Sequence, residues 1–69
     1  MMASVSHAGF KIKGLPDGTL YRARVERIDR AQFRAGDQVV EFWETPQHVD
    51  RDTAIGQAIY LIDCGKIKL

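Results

Sequence analysis

The chain has 69 residues and a formal net charge of +1, with ten Lys and Arg residues against nine Asp and Glu residues. A chain of this length forms one domain with a thin hydrophobic core, and its near neutrality excludes a strong overall field toward nucleic acid or membranes. No stretch reaches the roughly 20 apolar residues of a membrane span, and the single cysteine excludes a disulfide within the chain.

The N-terminal part of the chain predicts a tail followed by a β-hairpin. Residues 1–8 are small and polar, and we expect them to form a flexible tail of the single domain that spans 1–69. Two segments, 9–13 and 19–28, alternate apolar and charged residues, which is typical of strands with one buried face. The apolar residues are Phe10, Ile12, Tyr21, Ala23 and Val25, and the charged ones are Lys11, Lys13, Arg22, Arg24 and Glu26. The turn sequence at 15–18 contains Pro and Asp-Gly and therefore joins the two strands.

The middle of the chain predicts a polar connection and a third strand. In the connection, residues 29–38, Phe33 is the one large apolar side chain, and we expect it to pack beneath the loop. Residues 39–45 are rich in β-branched and aromatic side chains and predict a strand that ends at Pro46. Its two faces carry Val40 and Phe42 on one side and Val39, Glu41 and Trp43 on the other. Apolar groups on both faces indicate a central strand, or an interface at Trp43.

The C-terminal segment has two interpretations. As strands, residues 58–63 and 66–69 are joined by a turn at Cys64 and Gly65. As a helix, the segment begins at a cap formed by Asp50 or Asp52, places Ile55, Ala58, Ile59 and Ile62 on one face, and ends at Gly65. The strand interpretation is favoured because a helix has Gly56 in its interior, at about 1 kcal/mol relative to Ala, and leaves 66–69 without a partner.

These elements predict a mainly β fold, a small antiparallel sheet or partly open barrel of four to five strands. The alternative is an α+β fold, in which a three-stranded antiparallel sheet carries one C-terminal helix. In either fold the predicted core consists of Phe10, Ile12, Tyr21, Ala23, Val25, Val40 and Phe42.

Two segments resemble known families of β domains. The sequence RIDRAQFRAGDQVVEFWE at 27–44, followed by YLIDC at 60–64, resembles small bacterial domains of the surface-adhesin E-like type. That resemblance implies an antiparallel sheet, a secreted setting and an adhesive or unknown role. The sequence DGTLYRARV at 17–25 resembles the second strand of a Tudor-type SH3-like barrel. Such barrels bind methylated side chains in an aromatic cage, for which Tyr21, Phe42 and Trp43 are the available aromatic residues.

The sequence contains no pattern typical of an active site, a metal site or a cofactor site. Asp50 and Asp52 follow His48 at alternate positions, but this loop lacks the Gly and the final bidentate acid of an EF-hand. Cys64 lies between Asp63 and Gly65, neither of which is a base that could activate it, so it is a poor candidate nucleophile. We therefore predict a non-enzymatic protein without metal or cofactor, unless subunits share an active site.

We predict a small binding domain that acts through a sheet face or edge, as a homodimer. A chain this short gains buried area by self-association, and interface energy concentrates on buried aromatic residues. Trp43 and Tyr60 are the predicted partner-binding residues. The single unpaired cysteine fits a reducing cytoplasm, whereas a removed leader would indicate a secreted or periplasmic protein.

Nucleic-acid binding is the alternative function. Lys11, Lys13, Arg22 and Arg24 are expected on the outer face of the predicted hairpin. A two-stranded ribbon can enter the major groove, where Arg pairs with guanine or phosphate. Glu26 shares that face and reduces its positive charge, and no stacking aromatic residue clearly belongs with the basic set.

Overall fold

The computed structural model describes residues 4–69, which form two antiparallel sheets and a helix. The strands are β1 (Ser4–His7), β2 (Phe10–Asp17), β3 (Leu20–Arg27), β4 (Phe33–Ala35), β5 (Gln38–Val40), β6 (Trp43–Glu44) and β7 (Ile67–Lys68), and the helix is α1 (Arg51–Asp63). The larger sheet has the order β1-β2-β3-β6 and the smaller one β5-β4-β7. Neither sheet is closed, and the prediction of a mainly β fold is confirmed.

The predicted hairpin is confirmed as β2 and β3, but its turn is shorter than predicted. Leu15, Pro16 and Asp17 continue β2 and pair with β3, so the turn consists of Gly18 and Thr19 rather than residues 15–18. Ile12 lies opposite Val25 and Lys13 opposite Arg24, so the apolar and charged positions of the two strands fall on matching faces. Gly18, at φ +67°, lies in the tight turn between the strands, where the left-handed region favours glycine. The apolar face is buried and the charged face lies toward solvent, as the alternating pattern requires.

The strand interpretation of 58–63 is wrong, and the helix alternative is correct. Asp50 adopts an extended backbone and its carboxylate accepts a 2.7 Å hydrogen bond from the Thr53 N–H, which caps α1. The helix buries Ala54, Ile55, Ala58 and Ile62. Their spacing of three and four residues gives one continuous apolar side, and its burial outweighs the cost of Gly56 in the interior. Residues 66–69 do have a partner, because Ile67 pairs with Ala35 of β4 and is buried.

The core lies between α1 and the larger sheet. It contains Phe10, Ile12, Ala23 and Val25 of the hairpin, the four buried helix residues, and Phe33 and Ile67 of the smaller sheet. The rings of Phe10 and Phe33 meet edge to face with centroids 5.1 Å apart, which joins the two sheets. Phe33 is therefore buried, as predicted, although it belongs to a short strand rather than to a loop.

The predicted third strand and its contribution to the core need correction. Residues 39–45 do not form one strand, because pairing stops after Val40 and resumes at Trp43. This break lets both Val40 and Trp43 pack against the core, which is impossible for residues three apart on one regular strand. Phe42, which we predicted in the core, is instead 46% exposed on the outer face of the larger sheet. Tyr21, also predicted in the core, is half-buried.

The N-terminal segment is partly described. We expected residues 1–8 to form a flexible tail; residues 4–7 pair with β2 as β1, and residues 1–3 lie outside the described part of the chain. His7 Nε2 lies 2.7 Å from an Asp63 carboxylate oxygen, so this strand also contacts the end of α1. In the described range, α1 is too short and too polar to cross a bilayer, and no other helix is a candidate span.

Candidate functional site

The outer face of the larger sheet contains a concavity of about 480 Å³, which we call the basic concavity. Its basic side chains are Lys11, Lys13, Arg24, Arg27 and Arg30, its acidic ones are Glu26 and Glu41, and its apolar ones are Ile28 and Phe42. Five cations and two carboxylates line it, and two carboxylates outside the lining, Asp29 and Glu44, pair with Arg27 and Arg24. The cations therefore outnumber the carboxylates that line the concavity or pair with them by one, which makes it a moderately basic surface.

The hairpin register explains why three of these cations lie together. Lys11 and Lys13 point away from the core because Phe10 and Ile12 point into it, and Arg24 does the same on β3. Lys13 lies directly opposite Arg24 in the ladder. Like charges that face each other across strands repel unless a carboxylate lies between them.

Glu26 supplies that carboxylate. It lies 3.8 Å from Lys13 Nζ and 3.5 Å from Arg24 Nε, and Glu44 lies 3.6 Å from a second nitrogen of Arg24. These pairs are partly exposed, so each contributes little to stability. In the part of the chain that the structure describes, neither Lys11 nor Arg30 forms an ion pair. Those two cations have no carboxylate at ion-pair distance, although Lys11 lies opposite Glu26 in the ladder of β2 and β3.

An aromatic ring borders the same concavity. The Arg24 guanidinium carbon lies 3.9 Å from the centroid of the Phe42 ring, within the range of a cation–π contact. Ile28, which is 57% exposed, lies on the same surface. The sequence alone did not place an aromatic residue beside the basic side chains, and the structure places Phe42 there.

Arg22, the fourth cation that we predicted for the nucleic-acid interface, instead bonds to residues outside the basic concavity. Its Nε donates a 2.6 Å hydrogen bond to Asp17, and its Nη1 donates to the Thr45 carbonyl at 3.1 Å. The hydrogen bonds from Arg22 and Gln47 hold the pKa of Asp17 below its ordinary value. Arg22 does not line the basic concavity, and its contacts join the hairpin turn to the segment that follows β6.

The two predicted partner-binding residues lie on separate surfaces. Trp43 is half-buried and lines an apolar groove of about 350 Å³ that also includes Pro46, Leu61 and Ile67. Tyr60 is 67% exposed and does not line that groove. It lies on the solvent side of α1, about opposite the side that carries Ala54 and the other buried helix residues. The structure does not bring the two aromatic side chains together.

The remaining titratable residues that the sequence raised have structural contacts. His48 hydrogen-bonds Gln57 through its ring nitrogen, and its backbone pairs with Tyr21. The Thr53 N–H lowers the pKa of Asp50, the helix cap. Cys64 is exposed beyond the end of α1. Within residues 4–69, no three His, Cys, Asp or Glu side chains are grouped in a way that could hold a metal ion.

Sequence reasoning missed Arg27, Arg30, Ile28 and Phe42 as members of the site. One signal was available, because Arg27 and Arg30 belong to the excess of basic residues in the first half of the chain. The turn that follows β3, in which Arg30 has a φ of +63°, places Arg30 in the same concavity as Lys11 and Arg24. The position of Phe42 depends on the break between β5 and β6, for which the sequence carries no turn signal.

Comparison with protein-family models, curated proteins and solved structures found no match to this chain. The resemblances to adhesin E-like and Tudor-type domains therefore stay predictions from the sequence.

Proposed function

We propose that this protein is a non-enzymatic binding module that binds the phosphate backbone of nucleic acid in the basic concavity. The observation that carries the proposal is the convergence of five basic side chains from β2, β3 and the following turn on one concave surface. Phosphate contacts supply most of the sequence-independent affinity of nucleic-acid-binding proteins. A surface with this charge therefore suits a polyanion better than it suits a neutral ligand.

Contacts with Lys11 and Arg30 should contribute most to the affinity for phosphate. A cation already paired with a carboxylate must lose or share that partner when a phosphate binds. Lys11 and Arg30 have no carboxylate at ion-pair distance among the described residues, so their contacts with phosphate break no ion pair. Arg30 also presents a planar guanidinium, which matches phosphate oxygens in pairs.

Charge reversal at these two positions tests the proposal. We expect the double variant Lys11→Glu, Arg30→Glu to lose at least about tenfold in affinity for a labelled single strand of about 12 nucleotides, measured by fluorescence anisotropy. Between about 50 and 200 mM salt, its plot of log affinity against log salt should become shallower by about 1.4, since each lost contact to a single strand removes about 0.7.

The matched control makes the same charge change elsewhere. Arg34 and Lys68 are exposed and lie opposite each other on β4 and β7, outside the basic concavity. The variant Arg34→Glu, Lys68→Glu should bind like the wild type after the small effect of overall charge is allowed for. Equal losses in the two double variants, or binding that does not respond to salt, would contradict the proposal.

Self-association is a second proposal, and the apolar groove at Trp43 is the observation that favours it. This groove lies on a different surface from the basic concavity and exposes mostly carbon. A small domain gains stability when such a surface is covered by a second copy. Sedimentation equilibrium over a range of protein concentrations tests it, and a monomer at every concentration would refute it.

A further inference from the structure

We infer that the basic concavity binds single-stranded nucleic acid in preference to duplex, with one base stacked on the Phe42 ring. This inference rests on the proposed function, because it names which nucleic acid the same surface selects. The main supporting observation is that the exposed Phe42 ring lines the same concavity as Lys11 and Arg30, which form no ion pair among the described residues. Proteins that bind single strands without sequence preference combine a basic groove with aromatic rings on which bases stack.

The Phe42 ring is held from one side. Arg24 lies against it at 3.9 Å, and Glu26 and Glu44 hold the guanidinium group at 3.5 and 3.6 Å. An aromatic ring fixed by its neighbours loses little side-chain entropy when a base packs on it. With Arg24 on one side and 46% of the residue still exposed, the ring retains a surface on which a base can stack.

The sheet also disfavours the duplex. A two-stranded ribbon reads duplex DNA by entering the major groove, which is about 12 Å wide. The basic hairpin is not a free ribbon, because β1 pairs along β2 and β6 pairs along β3. Four strands present a surface wider than a ribbon, and the chain segment with Phe42 stands at its border. In a duplex the base faces are covered by neighbouring pairs, so stacking on Phe42 would first require unstacking.

Three probes separate the contributions of charge and base. They are an oligothymidylate strand, an abasic strand with the same number of phosphates, and a duplex of the same length. We expect the wild type to bind oligothymidylate about 5- to 150-fold more tightly than the abasic strand, the range that stacking of one base supplies. The duplex should bind more weakly than oligothymidylate at equal salt.

Variants at Phe42 identify the stacking residue. In Phe42→Ala and Phe42→Leu, the affinity for oligothymidylate should fall to the affinity of the same variant for the abasic strand. Leu keeps an apolar side chain of similar size but has no π face, and Phe42→Trp should restore the preference. Because Phe42 is outside the core, circular dichroism and thermal melts should show each variant folded.

The outcomes distinguish this inference from the proposed function. Equal, salt-dependent affinities for oligothymidylate and the abasic strand would overturn the stacking inference and leave the proposed function standing. A duplex that binds at least as tightly as the single strand would also overturn it. Absence of binding to all three probes would refute the proposed function itself, and the inference with it.

Discussion

Two glycine-to-alanine substitutions should change stability in opposite directions. Gly14, on β2, lies beneath the start of α1: an added Cβ would meet the Cγ of Arg51, would lie 2.8 Å from its Cδ, and would lie 3.2 Å from Ile55 Cδ1. Gly56, on α1, has open space around an added Cβ. The same methyl group is therefore added to a filled site and to an empty one.

The magnitudes follow from these contacts. Overpacking costs about 1–3 kcal/mol, and Ala in a strand recovers about 0.5–1 kcal/mol relative to Gly, so Gly14→Ala should lower the free energy of unfolding by about 1 kcal/mol, with an upper bound of roughly 2.5 kcal/mol. Gly56→Ala should raise it by about 0.5–1 kcal/mol, because Ala has the higher helix propensity and nothing obstructs it. Arg51→Ala removes the obstructing stem, so it should reduce the cost of Gly14→Ala in the double variant.

Urea denaturation followed by circular dichroism measures all of these variants. With a slope of about 1 kcal/mol per molar urea for a chain this small, the midpoints of the two glycine variants should differ by about 2 M. A Gly14→Ala variant that is more stable than the wild type would mean that α1 does not pack on β2 at this position. A Gly56→Ala variant that is destabilised would contradict the helix itself.

Three further perturbations test other parts of the structure. Thr45→Val should lower the free energy of unfolding by about 1–3 kcal/mol, because the buried Thr45 hydroxyl accepts a hydrogen bond from the Ala23 N–H, and Thr45→Ser should recover part of the loss in the same melts. The hydrogen bond from the Thr53 N–H lowers the pKa of Asp50 below its ordinary value of 3.8, so the Asp50 carboxylate stabilises the fold above that pH. This stabilisation is lost as the pH falls through the lower folded-state pKa, because protonation weakens the hydrogen bond. Asp50→Ala should therefore lose less stability than the wild type between about pH 5 and pH 3, and equal losses would contradict that cap. Tyr60 lies outside the apolar groove at Trp43, so Tyr60→Ala should leave self-association through that groove unchanged, and a weaker association in sedimentation would place the interface at α1 instead.

The hairpin was predictable because its determinants are local. Alternation along 9–13 and 19–28 fixes which side chains face the core, and Asp17-Gly18 indicates the turn, although Pro16 lies within β2 rather than in the turn. Register then follows from pairing apolar positions across the two strands. Lys11, Lys13 and Arg24 fell on one face for this reason, so three cations of the basic concavity were predicted from the sequence.

The helix was harder to predict because its support is tertiary. Residues 51–63 contain Gly56 and several β-branched residues, which weaken the local preference for a helix. Burial against the sheet decides the structure, and the small side chains of Ala54 and Ala58 let α1 approach closely. The neighbouring Gly14 allows the Arg51 stem to lie over β2, a match between residues far apart in the sequence. No window of local sequence contains that information.

Phe42 contributes little to the stability of the fold, which makes its proposed role in binding testable by mutation. Full burial of a Phe side chain contributes about 1.5–3 kcal/mol, whereas a cation–π contact at an exposed site contributes about 0.5–1 kcal/mol. The contact with Arg24 therefore does not replace the burial that Phe42 lacks, and the free protein has little need of a ring at this position. A single exposed ring would need no explanation. This one borders the same concavity as Lys11 and Arg30, so Phe42→Ala should leave the free energy of unfolding within about 1 kcal/mol while it removes the preference for single strands.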